Sequence, residues 1–291
     1  MIAEGNHIVT AITRADNNTI LPPDIATKRV DYSVQSSLVE ALKGQDVLII
    51  TMAVMAPPDT QNKLIEAAAE AGVQWILPNE WGSDTTHPAI LRNPITTARI
   101  KTHEYIEKLG KSNWIGIVNN QWWEWSLGGG YYGIDITNQK AKFYDDGIAK
   151  TVTTTWKRVG FAVTKLLSLP IVGELSLQDF KNKNVYISSF YLSQREMLDA
   201  VQRNTGTTDD DWEITSESVE QVIEKAYEEF KRGDFRALVK MIYGGNFIPN
   251  GGNDYILTKE TLNKKLGFLD EDLDEATKRA IEYSKVHKSI H

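Results

Sequence analysis

The sequence predicts an α/β protein: a doubly wound, mostly parallel sheet followed by a smaller C-terminal α+β lobe. Three observations carry this. Short apolar runs, DVLIITMAV, VQWILP and NWIGIV, alternate with segments of helical periodicity. Those helical segments run into glycine at Gly44, Gly72 and Gly110, as helices that stop in a left-handed turn do. Beyond Trp125 the alternation gives way to GGGYYG and later to a long amphipathic segment, ESVEQVIEKAYEEFKRGD. Strands alternating with helices of this length wind right-handedly, with helices on both faces of the sheet.

Each element has its own reason. Residues 7–14, HIVTAITR, read as a strand because Ile8, Ala11 and Ile12 sit among β-branched Val9, Thr10 and Thr13. The preceding IAEGN reads as a last helical turn closed by Gly5. A polar stretch, ADNNTILPPD, leads to a short strand, TKRVDY. SSLVEALKG is a helix with Ser37 and Glu40 spaced as a capping box. DVLIITMAV is apolar throughout, as a strand buried on both faces requires. DTQNKLIEAAAEAG follows as a helix with its stripe on Leu64, Ile65, Ala68 and Ala69, then strand VQWILP, helix TTARIKTHEYIEKLG and strand NWIGIV. GGGYYG is expected to be a flexible connection, and AKFYDDGIAKTV a hairpin turning at Asp146 and Gly147. Helix TTWKRVGFAVTKLLSLP and strand KNVYISS return, and Ser193 with Glu196 caps a helix running to Gly206. In the last long helix Val219, Val222, Ile223, Ala226, Tyr227 and Phe230 share a face. The division expected is residues 1–127 for the sheet domain and 128–291 for the C-terminal lobe, with some of its strands and helices returning to the first.

Composition narrows the function classes. A net charge of -7 with no basic run argues against nucleic acid and for small-molecule or protein partners. With no cysteine there is no thiolate nucleophile, disulfide framework or cysteine metal site. The five histidines are scattered and form no His-Glu-x-x-His. The absence of a long apolar run or signal-peptide pattern predicts a cytoplasmic protein.

A dinucleotide-binding fold begins with a strand, a glycine-rich turn and a helix whose N-terminal amides hold a pyrophosphate. The order here matches such a Rossmann-type unit from its second strand onward. The first strand and glycine loop, on the order of twenty residues of a ~30-residue βαβ unit, have no counterpart. GGGYYG follows no buried strand and opens no helix. MIAEGN is expected to be too short and too polar to take the place of the first strand, and the remainder reads as built around a strand that it does not contain.

The segments ITMAV, QNKLIEAAAEAGVQWILPNEWGSD, WIGIV with WWEWSLGGG, and DDGIAKTVTTTWKRVGFAVTKLL together resemble the fungal NmrA-like and isoflavone-reductase-like proteins, atypical short-chain dehydrogenases. The most specific piece is ILPNEWGSD, similar to that family's pattern of proline, a small polar residue, an acid, an aromatic and glycine. The resemblance implies an NADPH-dependent reductase of a small, aromatic or polyketide-like metabolite. It equally allows a non-catalytic NADP-sensing or regulatory protein, or an inactive member, since some members of the family catalyse nothing.

For the cofactor, the resemblance implies Thr13 and Arg14 at the end of the first strand, Met52, Pro78 and Asn79 after the next two, and Asn119 after NWIGIV. Arg14 stands where the family often meets the 2′-phosphate, for which a guanidinium is well shaped; it also reads as a solvated arginine. At the position of the family's catalytic lysine the chain has Arg99. Arginine stays protonated and serves as neither general acid nor base, though it can polarise a substrate oxygen. Lys101 lies some 200° around the helix from Arg99, whereas His103, four residues on, shares its face and is the local candidate for proton transfer; it also reads as a surface or packing residue. Trp81, Trp122 and Trp123 are candidates for an apolar substrate wall, or for packing. Tyr227 and Lys231 match Tyr-x-x-x-Lys but fall on the apolar stripe of the late helix and read as a decoy. GFLDEDLDEATKR reads as a solvated helix start, and Asp145 and Asp146 as turn formers.

Overall fold

The computed structural model describes residues 1–2, 5–17, 20–53, 56–57, 59–87, 94–248, 251 and 253–287, the side chains of residues 94 and 95 excepted. The chain divides into two compact units. The first comprises Met1–Trp81, Asn93–Ile117 and Gly160–Val185, the second Gly82–Arg92, Val118–Val159 and Tyr186–His291.

The first unit is the parallel α/β part. Its elements run β1 (Thr10–Arg14), β2 (Ala26–Val30), α1 (Gln35–Leu42), β3 (Val47–Ile49), α2 (Thr60–Ala71), β4 (Trp75–Leu77), α3 (Pro94–Leu109) and β5 (Asn113–Val118). With β10 (Lys183–Tyr186) they make a sheet of order β10-β5-β4-β3, in which β3, β4 and β5 run parallel. The expected glycines end the helices: Gly72 and Gly110 adopt φ of +81° and +64°, a conformation that costs a Cβ-bearing residue about 1 kcal/mol or more. Leu38, Leu42, Leu48, Leu64, Ile65, Ala68, Ile76 and Ile106 form one core with Trp114. On α2 it is Ala67, rather than the expected Ala69, that joins this face.

β1 and β2 stand apart. They pair parallel, Thr10 opposite Ala26 through Arg14 opposite Val30, as a two-stranded sheet of their own. The strand expected from residue 7 begins only at Thr10, and Ile8 is 95% exposed. Residues 1–2 and 5–6 form no strand; Gly5, at φ +70°, closes a turn by bonding Ile2 O. Among the described residues, then, nothing pairs with the free edges of β1 and β3. The end of the run DVLIITMAV lies outside the described residues. Ser37 does not cap α1: the helix starts at Gln35, and the Ser37 hydroxyl accepts from Asp31 N instead.

In the second unit β6 (Gln121–Trp122) leads into α4 (Trp123–Gly128), followed by β7 (Ile134–Asp135), β8 (Lys140–Tyr144), β9 (Lys150–Thr154) and α5 (Trp156–Leu167). Beyond β10 come β11 (Phe190–Ser193), α6 (Gln194–Thr205), β12 (Glu213–Glu217), α7 (Val219–Lys231), α8 (Ala237–Gly245), α9 (Leu262–Lys265) and α10 (Leu273–Val286). Ser193 and Glu196 form the predicted capping box on α6. The predicted hairpin is absent: Gly147 makes the turn at φ +74°, but β8 pairs with β12 and β7 while β9 pairs with β11 and β6. Nor is GGGYYG a loose connection. A Cβ on Gly128 would lie 2.5 Å from Ala280 O, so glycine is what lets α4 meet α10. The acidic start of α10 is only partly solvated, because Glu271 pairs with buried Arg158 at 3.1 Å and accepts from Thr155 and Ser189. No described helix is long and apolar enough to cross a membrane.

Candidate active site

The segment after β4 is fixed by backbone and amide bonds before any charge is placed. Asn79 clamps the end of β3 in both directions: Met52 N donates to its Oδ1 at 3.1 Å, and its Nδ2 donates to Met52 O at 3.2 Å. Asn79 N donates to Gln61 Oε1 at 2.8 Å, and Gln61 Nε2 donates to Thr102 on α3 at 3.2 Å. Trp81 adds a second tie, its indole N–H donating to Ile50 O at 2.9 Å. Pro78 takes part as the acceptor of a tight turn to Glu80 N. The polar groups of Asn79 are thus spent on the protein's own backbone. Asn79 and Trp81 shape the carboxyl ends of β3 and β4, where open parallel sheets bind their ligands.

This frame carries a charged cluster on one face of α3. Glu80, 3% exposed, places Oε2 2.6 Å from His103 Nε2. His103 lies flat on the Trp114 indole, with centroids 3.5 Å apart and planes 2° from parallel. Trp114 in turn donates from Nε1 to Glu107 at 2.8 Å, so residues 103 and 107, four apart on α3, hold it from two sides. Arg99 is half-buried with its Nε shielded from solvent, and burial lowers its pKa while the nearby Glu80 charge raises it. Lys101 is exposed, as its helical position predicts. Glu80 is the member that reading residues one element at a time misses, although it is the acid of PNEWG. Another overlooked signal was the lone glycine in NWIGIV: a Cβ on Gly116 would sit 2.5 Å from Asn184 Oδ1 and 3.3 Å from Glu80 Oε2.

At the end of β1, Arg14 is exposed and pairs loosely with Asp16 at 3.6 Å. It lies close enough to Tyr32 to draw that phenol's pKa down, against a larger upward push from burial. Thr13 is half-buried beside it, opposite Arg29 of β2. In the second unit Asn119 is fully buried; its Nδ2 donates to Asn120 O, and its Oδ1 has no hydrogen-bond partner among the described residues. Gln121 Oε1 is in the same condition. Trp122 is half-buried, whereas Trp123 is a core residue packed on Tyr132 and Phe190. Tyr227 is 45% exposed under Lys231 Nζ, 4.3 Å from the ring centre, an exposed cation–π pair on α7. No described cluster of histidine and carboxylate side chains could hold a metal ion.

For NADP(H), the residues present fit at two places and not at a third. Arg14 offers an accessible guanidinium at the end of β1, and buried Asn119 offers an unsatisfied carbonyl after β5. Ahead of β1, however, the described residues form no α-helix whose N-terminal amides could cradle a pyrophosphate.

The NmrA-like family matches residues 2–119. The fungal protein named oxidoreductase aprR, from Aspergillus flavus, is 27% identical over 278 residues, covering 92% of this chain and 88% of its own. Among solved structures, an isoflavone reductase superimposes with a TM-score of 0.72 at 19% identity, covering 94% of this chain and 92% of that one. A binary complex of leucoanthocyanidin reductase with NADPH from Vitis vinifera gives 0.74 at 14% identity, covering 96% and 93%.

Proposed function

We propose that this is an NmrA-like protein, a reading supported by the family match over residues 2–119 and by the likeness in fold to an isoflavone reductase, and that the chain is an oxidoreductase reducing a small, aromatic or polyketide-like metabolite with NADPH. The observation that carries this is the buried Glu80–His103 pair on the same helix face as Arg99, at the carboxyl end of β4. Structural charges are seldom gathered this way at a strand end, where ligands bind. Residues 1–127 are assigned to the cofactor and 128–291 to the substrate, with Thr13, Arg14, Met52, Pro78, Asn79 and Asn119 on the cofactor's side.

The cofactor, when bound, supplies the hydride. Arg99 holds and polarises the substrate oxygen, which lowers the cost of the negative charge that develops there. It cannot give up a proton at physiological pH. His103 is therefore the proton donor, through a water or directly. Trp81 borders an apolar substrate, while Trp123 is a core residue of the second unit.

The test is oxidation of NADPH against a panel of aldehydes, enones and quinones, with Arg99→Met and Arg99→Lys alongside. Turnover that falls on the order of 10²-fold or more in Arg99→Met and partly survives in Arg99→Lys supports the assignment. One observation favours a second reading, a non-catalytic NADP-sensing or regulatory protein: Arg99, which cannot transfer a proton, stands where the family resemblance places the catalytic lysine. Saturable NADPH binding without turnover across the panel selects that reading.

A further inference from the structure

Glu80 has a chemical peculiarity. Its carboxylate is almost wholly buried, and its Oε1 has no hydrogen-bond partner among the described residues, so its strong interactions are on one side. There Oε2 meets His103 Nε2 at 2.6 Å, and the Arg99 charge acts on it. A carboxylate can only accept, so the proton in this contact belongs to Nε2 whenever Glu80 is ionised. Strand β5 makes room for the carboxylate, since Gly116 is the position where any Cβ would crowd Glu80 Oε2 and Asn184 Oδ1. The stack on Trp114 then leaves the imidazole no freedom to turn about its plane. Among the described residues, Glu80 meets the ring directly, Glu107 holds the Trp114 beneath it, and the Arg99 charge acts on Glu80.

From this geometry we infer that Glu80 is a positioning residue, which locks His103 as the Nε2–H tautomer and makes Nδ1 the nitrogen that carries protons to and from the substrate. In the reduction proposed above, on which this inference rests for its use, a proton leaves Nδ1 of the imidazolium for the substrate oxygen. The neutral Nε2–H imidazole that remains regains its proton from water, so no further reactant enters. Nothing in the family pattern of the segment after β4 assigns its acid this task; the 2.6 Å contact does.

The experiment is long-range proton–nitrogen correlation on the full chain labelled with 15N, with His103→Gln identifying the resonances. A single Nε2–H tautomer in the wild-type protein is expected; an Nδ1–H tautomer, or an even mixture, overturns the inference without any variant having to fold. Glu80→Gln replaces an obligate acceptor by an amide that also donates, so it should give a mixture of tautomers, and Glu80→Asp should restore the single form. If an active substrate emerges from the panel, Glu80→Gln should lower kcat at least tenfold and leave KM within about twofold, within the range of general acid–base effects. A fall in KM and kcat together, with the tautomer unchanged, would mean that Glu80 merely packs. The tautomer measurement does not need turnover, so failure of the reductase reading and failure of the positioning role are told apart.

Discussion

All three residues of β4 and every residue of β5 beyond Asn113 are buried, whereas β1 has no buried residue and β2 only Val30. Both pieces are parallel and both belong to the same unit, so strand type does not explain the contrast. Pairing does. β4 is hydrogen-bonded on both edges, β1 on one. The difference teaches where this protein holds its chemistry firmly. Glu80, His103 and Arg99 sit on or just after the buried elements, within a lattice of amide bonds and ring stacking. Arg14 sits at the tip of the exposed pair and is held by a loose ion pair of the kind worth at most about 1 kcal/mol.

The largest expected effect sharpens that contrast directly. Ile76, completely buried in β4, should cost about 2–5 kcal/mol when replaced by alanine. Ile12, half-buried in β1, should cost below about 1 kcal/mol for the same change. Urea unfolding of both variants is the measurement, and equal losses would show that β1 is as deeply integrated as β4. Native-state hydrogen exchange should agree, with amides of β1 and β2 exchanging well before those of β4 and β5.

The same contrast marks what could be read in advance. The helix stops at Gly72, Gly110 and Gly206 and the capping box at Ser193 were legible because each is a local conformational demand of one residue or one turn. So was the shared face of Arg99 and His103. Three other features were not, because they depend on partners far away in sequence. The turn at Gly147 is real, yet β8 leaves it to pair with residues 213–217, which no local pattern announces. Ser37 has the spacing of a cap, but Asp31 N claims its hydroxyl. Glu80 lies on no periodic face; only the fold brings α3 and β5 against it, and Gly116 was the one local sign of that close approach.

A smaller effect comes from pH and extends the comparison to the second unit, where Tyr132 and Tyr255 are buried completely. Burial, with Glu217 nearby, pushes the Tyr144 phenol up to about 12. Its folded value exceeds the unfolded value near 10, so its contribution to stability is complete below pH 10 and is lost as pH rises through about 12. At about 1.4 kcal/mol per unit, that is up to roughly 3 kcal/mol. Tyr132 and Tyr255, fully buried, are shifted upward in the same direction. The urea midpoint should therefore fall steadily above pH 10, and Tyr144→Phe should make the fall shallower. A midpoint that is flat from pH 9 to 12 would mean these phenols are open to solvent.

The smallest effect on stability is expected where the effect on cofactor choice is sharpest. Arg14→Ala removes an exposed side chain whose partner, Asp16, is also exposed, so the unfolding midpoint should shift by less than about 0.5 kcal/mol. If Arg14 meets a 2′-phosphate, NADPH affinity should nonetheless drop on the order of tenfold or more, the weight of one charge-assisted contact, while NADH affinity stays put. Titration of both nucleotides against wild type and variant separates the two roles. Equal, unchanged affinities would leave Arg14 a solvated end to β1. The loosely held half of the first unit would then have no share in binding, and whatever binds there would rest on the buried half alone.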